Sequence, residues 1–233
     1  MRQTYHRGSL LPLRYHYSRP DIESIATTEL RKHKCLPDAP GEIPLEDFLM
    51  ARHDGLNAQP APFGPDIMGL ADLLEPAHPA IFISTSVMDG PEHRYRSTLA
   101  HEIGHVLLHS HLYLEEDFRM ALTRYRRGDA TDHTITCFHR DLQEAPGGRY
   151  NPDDPFAHIE FQANVCMAAL LVPRPLVKKC VVSWTSNRPL RGGGYETVFD
   201  ESRRREAVTC ISTTFNVSPT LASFRLQEIH PSN

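Results

Sequence analysis

Residues 98–109 read TLAHEIGHVLLH, and the placing of histidines at every fourth position asks for one backbone in particular. On an α-helix, residues four apart lie on nearly the same face, one turn up. The segment also carries the apolar side chains Leu99, Ile103, Val106 and Leu107 at helical spacing. A helix is therefore predicted here, with Ser97 or Thr98 as its N-cap.

Two imidazoles one turn apart, His101 and His105, can bracket a single ion. Glu102 points off to the side, where it can take a proton from water that the ion activates. That division of labour is why H-E-x-x-H reads as a zinc site with a built-in general base. His109 is the tempting third ligand, but each four-residue step rises about 6 Å, which puts His101 and His109 about 12 Å apart along a straight helix. No glycine follows His105 to break the helix: Val106-Leu107-Leu108 keeps it going. His109 is expected instead to support the ligands from behind.

A catalytic zinc needs three protein ligands and an open position. Asp154-Pro155 is a sharp helix start, Asp at the cap and Pro at the first helical position. The helix so begun runs through FAHIEFQANVCMAALLV and stops at Pro173. Its apolar stripe holds Phe156, Ile159, Ala163, Met167, Leu170 and Leu171. Glu160 and Asn164 lie along the edge of that stripe, four apart. A carboxylate near a core is costly unless paired or bound to metal, so Glu160 is the best candidate for the third ligand. Asn164 is placed to hold the free ring nitrogen of a ligand histidine.

An H-E-x-x-H helix followed by a separate helix with E-x-x-x-N resembles the gluzincin class of zinc peptidases. More narrowly, TLAHEIGHVLLH (98–109) and EFQANVCMAALLVP (160–173) resemble the ImmA/IrrE-type metallopeptidases, whose members show segments like TLAHELGHxLLH and E-x-Q-A-N-x-F-A-A-x-L-L-M-P. The second segment keeps Glu160, Gln162, Ala163, Asn164, Ala168, Leu170, Leu171 and Pro173. It departs at Cys166, Met167 and Val172, which are packing positions. The order of the other segments from about residue 20 to 230 fits as well. The resemblance implies a zincin-like fold, zinc held by two histidines and a glutamate, and proteolysis of a regulatory protein, often a helix-turn-helix repressor.

Elsewhere the chain punctuates itself. The first twenty residues are polar, aromatic and Arg-rich and are expected to form an arm. Asp21–Leu36 and Leu45–His53 are predicted helices, Ile67–Leu73 and the run from Ala80 to Thr85 predicted strands, and Thr134–Phe138 a further strand. A helix is expected after Pro175, a flexible loop over 185–196, and two closing helices over Glu201–Phe215 and Pro219–Ile229 with Ser218 as the cap between them. Helices first, then strands, then helices suggest an α+β class with a small, mostly antiparallel sheet. Residues 21–231 are read as one zincin-like domain with closing helices from about residue 201.

The net charge of −4 argues against a nucleic-acid partner. The segment ISTTFNVSPTLASFRLQEI does resemble a helix-turn-helix, with Arg203–Arg205 and Arg225 nearby, but two closing helices explain it more simply. The start of the chain lacks the apolar run of a secretory signal, and MAALLV at 167–172 is too short to span a bilayer. The five scattered cysteines are read as reduced thiols in a cytoplasmic protein, and His111 as a surface residue. Three functions compete: a zinc endopeptidase acting on a cytoplasmic protein; a non-proteolytic regulator or metal-sensing module on the same fold, with DNA contact open; and a structural protein with an accidental motif. Glu102 favours the first, because a pure metal-binding module has no need of a base. Tyr95, Tyr113, His139, Tyr150 and His158 are all candidate oxyanion donors, and nothing in the sequence chooses among them.

Overall fold

The first helix begins two residues ahead of its expected start, and a capping box is the reason. In the computed structural model, which describes residues 1–5, 13–125, 134–138, 156–189 and 194–231, α1 spans Arg19–Lys32 with Ser18 as N-cap. The Ser18 hydroxyl accepts from the Asp21 N–H at 3.2 Å, and the Ser18 N–H donates to Asp21 Oδ2 at 3.1 Å. Asp21 is thus inside the first turn rather than at the cap. The helix also ends early, because Lys34 turns to φ 60°. Lys34 N–H then reaches Arg31 O at 3.0 Å and Cys35 N–H reaches Leu30 O at 2.8 Å, a Schellman closure.

The expected N-terminal arm is a paired ribbon: β1 (Arg2–Tyr5) runs antiparallel to β2 (Leu13–His16). It is tied down, because Arg14 is buried, Tyr15 O accepts from Gln162 Nε2 at 2.9 Å and the Tyr15 hydroxyl donates to Glu115 at 2.5 Å. His111, expected at the surface, is half-buried with its ring edge-on to Tyr15 at 5.3 Å and Tyr17 at 6.4 Å.

The helix α2 (Leu45–Arg52) precedes a four-stranded sheet of β3 (Gln59–Ala61), β4 (Ile67–Asp72), β5 (Ala80–Ser84) and β6 (Thr134–Phe138), in the order β3-β5-β4-β6. β4 is antiparallel to both its neighbours, and β3 lies parallel to β5. Met68 to Ala71 of the inner strand β4 are all buried, as a continuous apolar run in a covered sheet predicts.

A short helix, α3 (Thr85–Met88), leads into α4 (Glu92–His109), which packs on β4 and β5. α4 starts at Pro91, not at Ser97 or Thr98. Those two hydroxyls sit inside the helix and bond back one turn, Ser97 to His93 O at 2.8 Å and Thr98 to Arg94 O at 3.0 Å. After α5 (Glu116–Tyr125), the helix α6 (Ala157–Leu171) packs against α4 on one side and α1 on another. A helix covered by two others must be apolar nearly all round, and every residue from Gln162 to Leu171 is buried. The expected Asp154-Pro155 start lies outside the described residues.

Downstream, α7 (Arg174–Cys180) is followed by a hairpin where a loop was expected: β7 (Thr185–Pro189) pairs antiparallel with β8 (Tyr195–Phe199). Its residues are mostly exposed, so no alternation of apolar and polar side chains announces it. Arg188 and Glu196 face each other across the pair at 2.7 Å. The closing helix α9 (Pro219–Ile229) holds to its expected place, with Ser218 accepting from Leu221 N–H at 3.2 Å, whereas α8 (Arg204–Phe215) begins after a 3-10 turn over Glu201–Arg203 rather than at Glu201.

Of the arginines noted beside these helices, Arg203, Arg204 and Arg225 have carboxylate partners within the chain. Arg203 pairs with Glu206 and Arg204 with Glu201, both at 2.7 Å. Arg225 is fully buried: it donates to Val172 O from Nε at 3.0 Å and from Nη2 at 2.8 Å, and also binds Glu23 and Glu228. Val172 is the C-cap of α6, so α9 closes the far end of that helix. Buried apolar side chains from Ile22 on α1 to Ile229 on α9 form one cluster. The chain is mixed α+β, and among the described residues no helix is long and apolar enough to cross a membrane.

Candidate metal centre

α4 brings His101 and His105 one turn apart, both fully buried. Their Nε2 atoms face each other at 3.0 Å. Glu160, in the first turn of α6, sends Oε2 to 3.2 Å from His101 Nε2 and 3.4 Å from His105 Nε2. Three donor atoms on two helices thus converge on one point, and the three residues form a group able to hold a metal ion. Bonds of about 2.0–2.1 Å to a tetrahedral ion put neighbouring ligand atoms about 3.3 Å apart, close to the three separations found. The donor set fits such an ion.

Two imidazole nitrogens directed at each other need either a shared proton or a cation between them. The outer ring nitrogens favour the cation. His101 Nδ1 lies 3.0 Å from Asn164 Oδ1, an acceptor, which places the Nδ1 proton on His101 and leaves its Nε2 lone pair free. His105 Nδ1 lies 3.1 Å from His109 Nδ1. Burial above all, then His105 and His158, hold His109 well below the usual histidine range, so it is neutral and can accept the His105 proton. Asn164 and His109 therefore each touch the back of one metal-facing ring.

Burial by itself would raise the Glu160 carboxyl. The charge of His105 and hydrogen bonds from His101 and His105 overcome that and hold it well below the ordinary carboxylate range. Positive charge opposite Glu160 favours its ionised form, and a metal ion would supply that charge without protonating the rings.

Glu102 is fully buried on the sheet side of α4. A Cβ built on Gly69 of β4 would come within 2.8 Å of Glu102 Oε1 and 2.8 Å of Thr98 Cγ2. Only a glycine lets the strand pass this close to the carboxylate. Gly69 also follows the register shift of the β4–β6 pairing at Ile67/Gly69. Gly69→Ala is expected to destabilise the fold by about 1–3 kcal/mol through overpacking against buried groups, read as a lowered denaturation midpoint; an unchanged midpoint would show that the contact relaxes freely.

Gly104 does the same service between helices. Its added Cβ would meet Ala163 O at 3.0 Å and Cys166 Cβ at 3.2 Å. The bare backbone at Gly104 lets α6 lie against α4 closely enough for Glu160 to reach both histidines. Neither glycine stood out in the sequence. The signal available was a glycine kept inside a helix, where it costs about 1 kcal/mol against alanine and so asks for a packing reason.

Of the five candidate oxyanion donors, His139 and Tyr150 lie outside the described residues. Tyr95 is directed elsewhere: burial, then Glu46 on α2, pushes its phenol up to about 12. Tyr113 is buried with its ring 5.2 Å from Phe118. His158 is buried, its ring tilted against His16 of the N-terminal ribbon at 5.2 Å, and acts electrostatically on His109. No protein-family model matches the chain, and no curated protein matches it; what the chain belongs to must be argued from His101, His105 and Glu160 themselves.

Proposed function

We propose that the chain is a zinc metallopeptidase of the ImmA/IrrE type on a zincin-like fold, hydrolysing a peptide bond in a cytoplasmic regulatory protein such as a helix-turn-helix repressor. The observation that carries the reading is the meeting of His101 and His105 with Glu160, beside a buried Glu102 that takes no part in the three-atom cluster. His101, His105 and Glu160 would hold the ion. When bound, zinc supplies Lewis acidity that acidifies water and polarises a carbonyl.

The chain's own residues do the rest. Asn164 and His109 fix the orientation and tautomer of the two ligand rings. Glu102 would accept a proton from the attacking water and deliver it to the departing amine nitrogen. Its approach to the backbone of β4 at Gly69 restricts where its carboxylate can point.

The test uses the full-length protein and a defined mixture of unstructured peptides. Purified protein is expected to carry about one zinc per chain by elemental analysis and to generate new peptide termini by mass spectrometry. Chelation should end cleavage and added zinc restore it. Glu102→Gln is expected to keep the metal and lose cleavage by about a hundredfold or more. Iron in place of zinc would overturn the metal assignment, since two histidines and a carboxylate also suit that ion. Zinc bound at full occupancy with no cleavage of the peptides or of candidate repressors would replace the peptidase by a metal-sensing module.

A further inference from the structure

Cys180 closes α7 and Cys210 lies within α8, and their sulfur atoms face each other at 3.3 Å. Both side chains are partly exposed, whereas Cys35 and Cys166 are buried. We propose that Cys180 and Cys210 form a dithiol site that reacts with low-molecular-weight disulfides and closes into a disulfide joining α7 to α8. This goes beyond the peptidase reading and does not rest on it, because neither sulfur belongs to the metal-ligand group.

The geometry is close to what the bond needs. The sulfurs must approach by about 1.3 Å to reach the disulfide length of about 2.05 Å, a distance that small χ rotations of the two side chains can supply. Their accessibility admits a small solute, and a pair already in contact resolves a mixed disulfide without competition from a second molecule.

The two thiols have different parts. Burial, then the hydrogen bond to Cys210, pushes the Cys180 thiol up to about 12. Cys180 is therefore slow to attack, and the first step falls to its neighbour Cys210. With glutathione disulfide as oxidant, Cys210 attacks one of its sulfurs, breaking that S–S bond and releasing one glutathione thiolate. Cys180 then gives up its proton and attacks the Cys210 sulfur, breaking the mixed disulfide and releasing the second glutathione. Two protein thiols are oxidised, one glutathione disulfide is reduced to two glutathione molecules, and the two protons leave with them. The product closes residues 181–209, including the β7–β8 hairpin, into a covalent loop. In a reducing compartment the pair stays open; a rise in the disulfide-to-thiol ratio closes it.

The experiment incubates the native full-length protein at graded ratios of oxidised to reduced glutathione, quenches with acid, alkylates and maps peptides by mass spectrometry. Wild type is expected to lose two thiols per chain, to yield one linked pair containing Cys180 and Cys210, and to gain roughly 5 °C in Tm that a reductant reverses. C180S is expected to accumulate glutathione on Cys210 with no such gain, and C210S to leave Cys180 unmodified. Wild type that retains both thiols at the most oxidising ratio, or that ends as a glutathione adduct on Cys210 without the link, overturns the proposal. Because the map is read on wild type, the outcome stands even if a serine variant folds poorly.

Discussion

Glu160→Ala is expected to release the metal. Of the three converging atoms it removes the only anionic one, and it leaves two imidazole nitrogens facing each other at 3.0 Å with nothing to close the third side. Groups that merely touch the back of a ligand are worth about 10–100-fold in metal affinity, so loss of a ligand itself should weaken binding by more than about a hundredfold. His109→Ala and Asn164→Ala, which each act through one ring, are expected to fall within that smaller range and to keep metal at micromolar concentrations. The measurement is zinc retained after dialysis, together with the gain in Tm on adding zinc to the chelated protein. Wild type and the His109 variant should show the gain, because a ligand that binds only the folded state stabilises it; Glu160→Ala should not. Equal Tm values for the chelated proteins would show that the loss is of a ligand and not of the fold. Reversal of the Glu160 and His109 results would return the ligand assignment to a three-histidine site.

Arg225→Ala is expected to be the most destabilising single change at a distance from the metal. The guanidinium is fully buried and engages Val172 O, Glu23 and Glu228 together. Removing it leaves Glu23 with Arg174 at 3.8 Å as its remaining ion-pair partner among the described residues, and leaves the end of α6 short of its donor. Breaking a buried pair in this way costs about 3–5 kcal/mol, or a fall in Tm of roughly 10 °C for a chain of this size. Arg225→Lys should recover only part, because an ammonium cannot reach three groups in the planar fork geometry. Combining Arg225→Met with Glu23→Met should be milder than the two single changes added, since the apolar pair leaves no orphaned charge. A change below about 1 kcal/mol for Arg225→Ala, within the range of ordinary surface substitutions, would mean that the network is not structural.

The parts of the site legible in the sequence were those fixed by local spacing. His101 and His105 meet because a helix returns to the same face after four residues, and Glu160 and Asn164 keep their order for the same reason. Ser218 caps α9 as its position before Pro219 implies. The rest depends on what lies far away in the chain. Ser97 and Thr98 have the chemistry of caps, but Pro91 already begins the helix and their hydroxyls turn inward to its carbonyls. β7 and β8 pair through backbone bonds on an exposed surface, where polarity carries no periodic signal. Gly104 and Gly69 are needed because of Ala163 and Glu102, neighbours that sequence order does not reveal. An arginine close to a helix-turn-helix-like segment looked available to a phosphate; only packing shows Arg225 turned inward onto Glu23.

The Arg225–Val172 contact also imposes an order on how the molecule is made. A ribosome that has passed residue 172 has already built His101, His105 and Glu160, the whole proposed ligand set, into the chain. The guanidinium that completes the end of α6 comes 53 residues later, and its carboxylate partner Glu23 has by then waited through 202. Until that point the Val172 carbonyl and Glu23 lack this partner, so the half that carries the proposed ligands is synthesised before the arginine that closes it. The far end of the glutamate-bearing helix therefore stays open until Arg225 has been made and can fold back onto Val172.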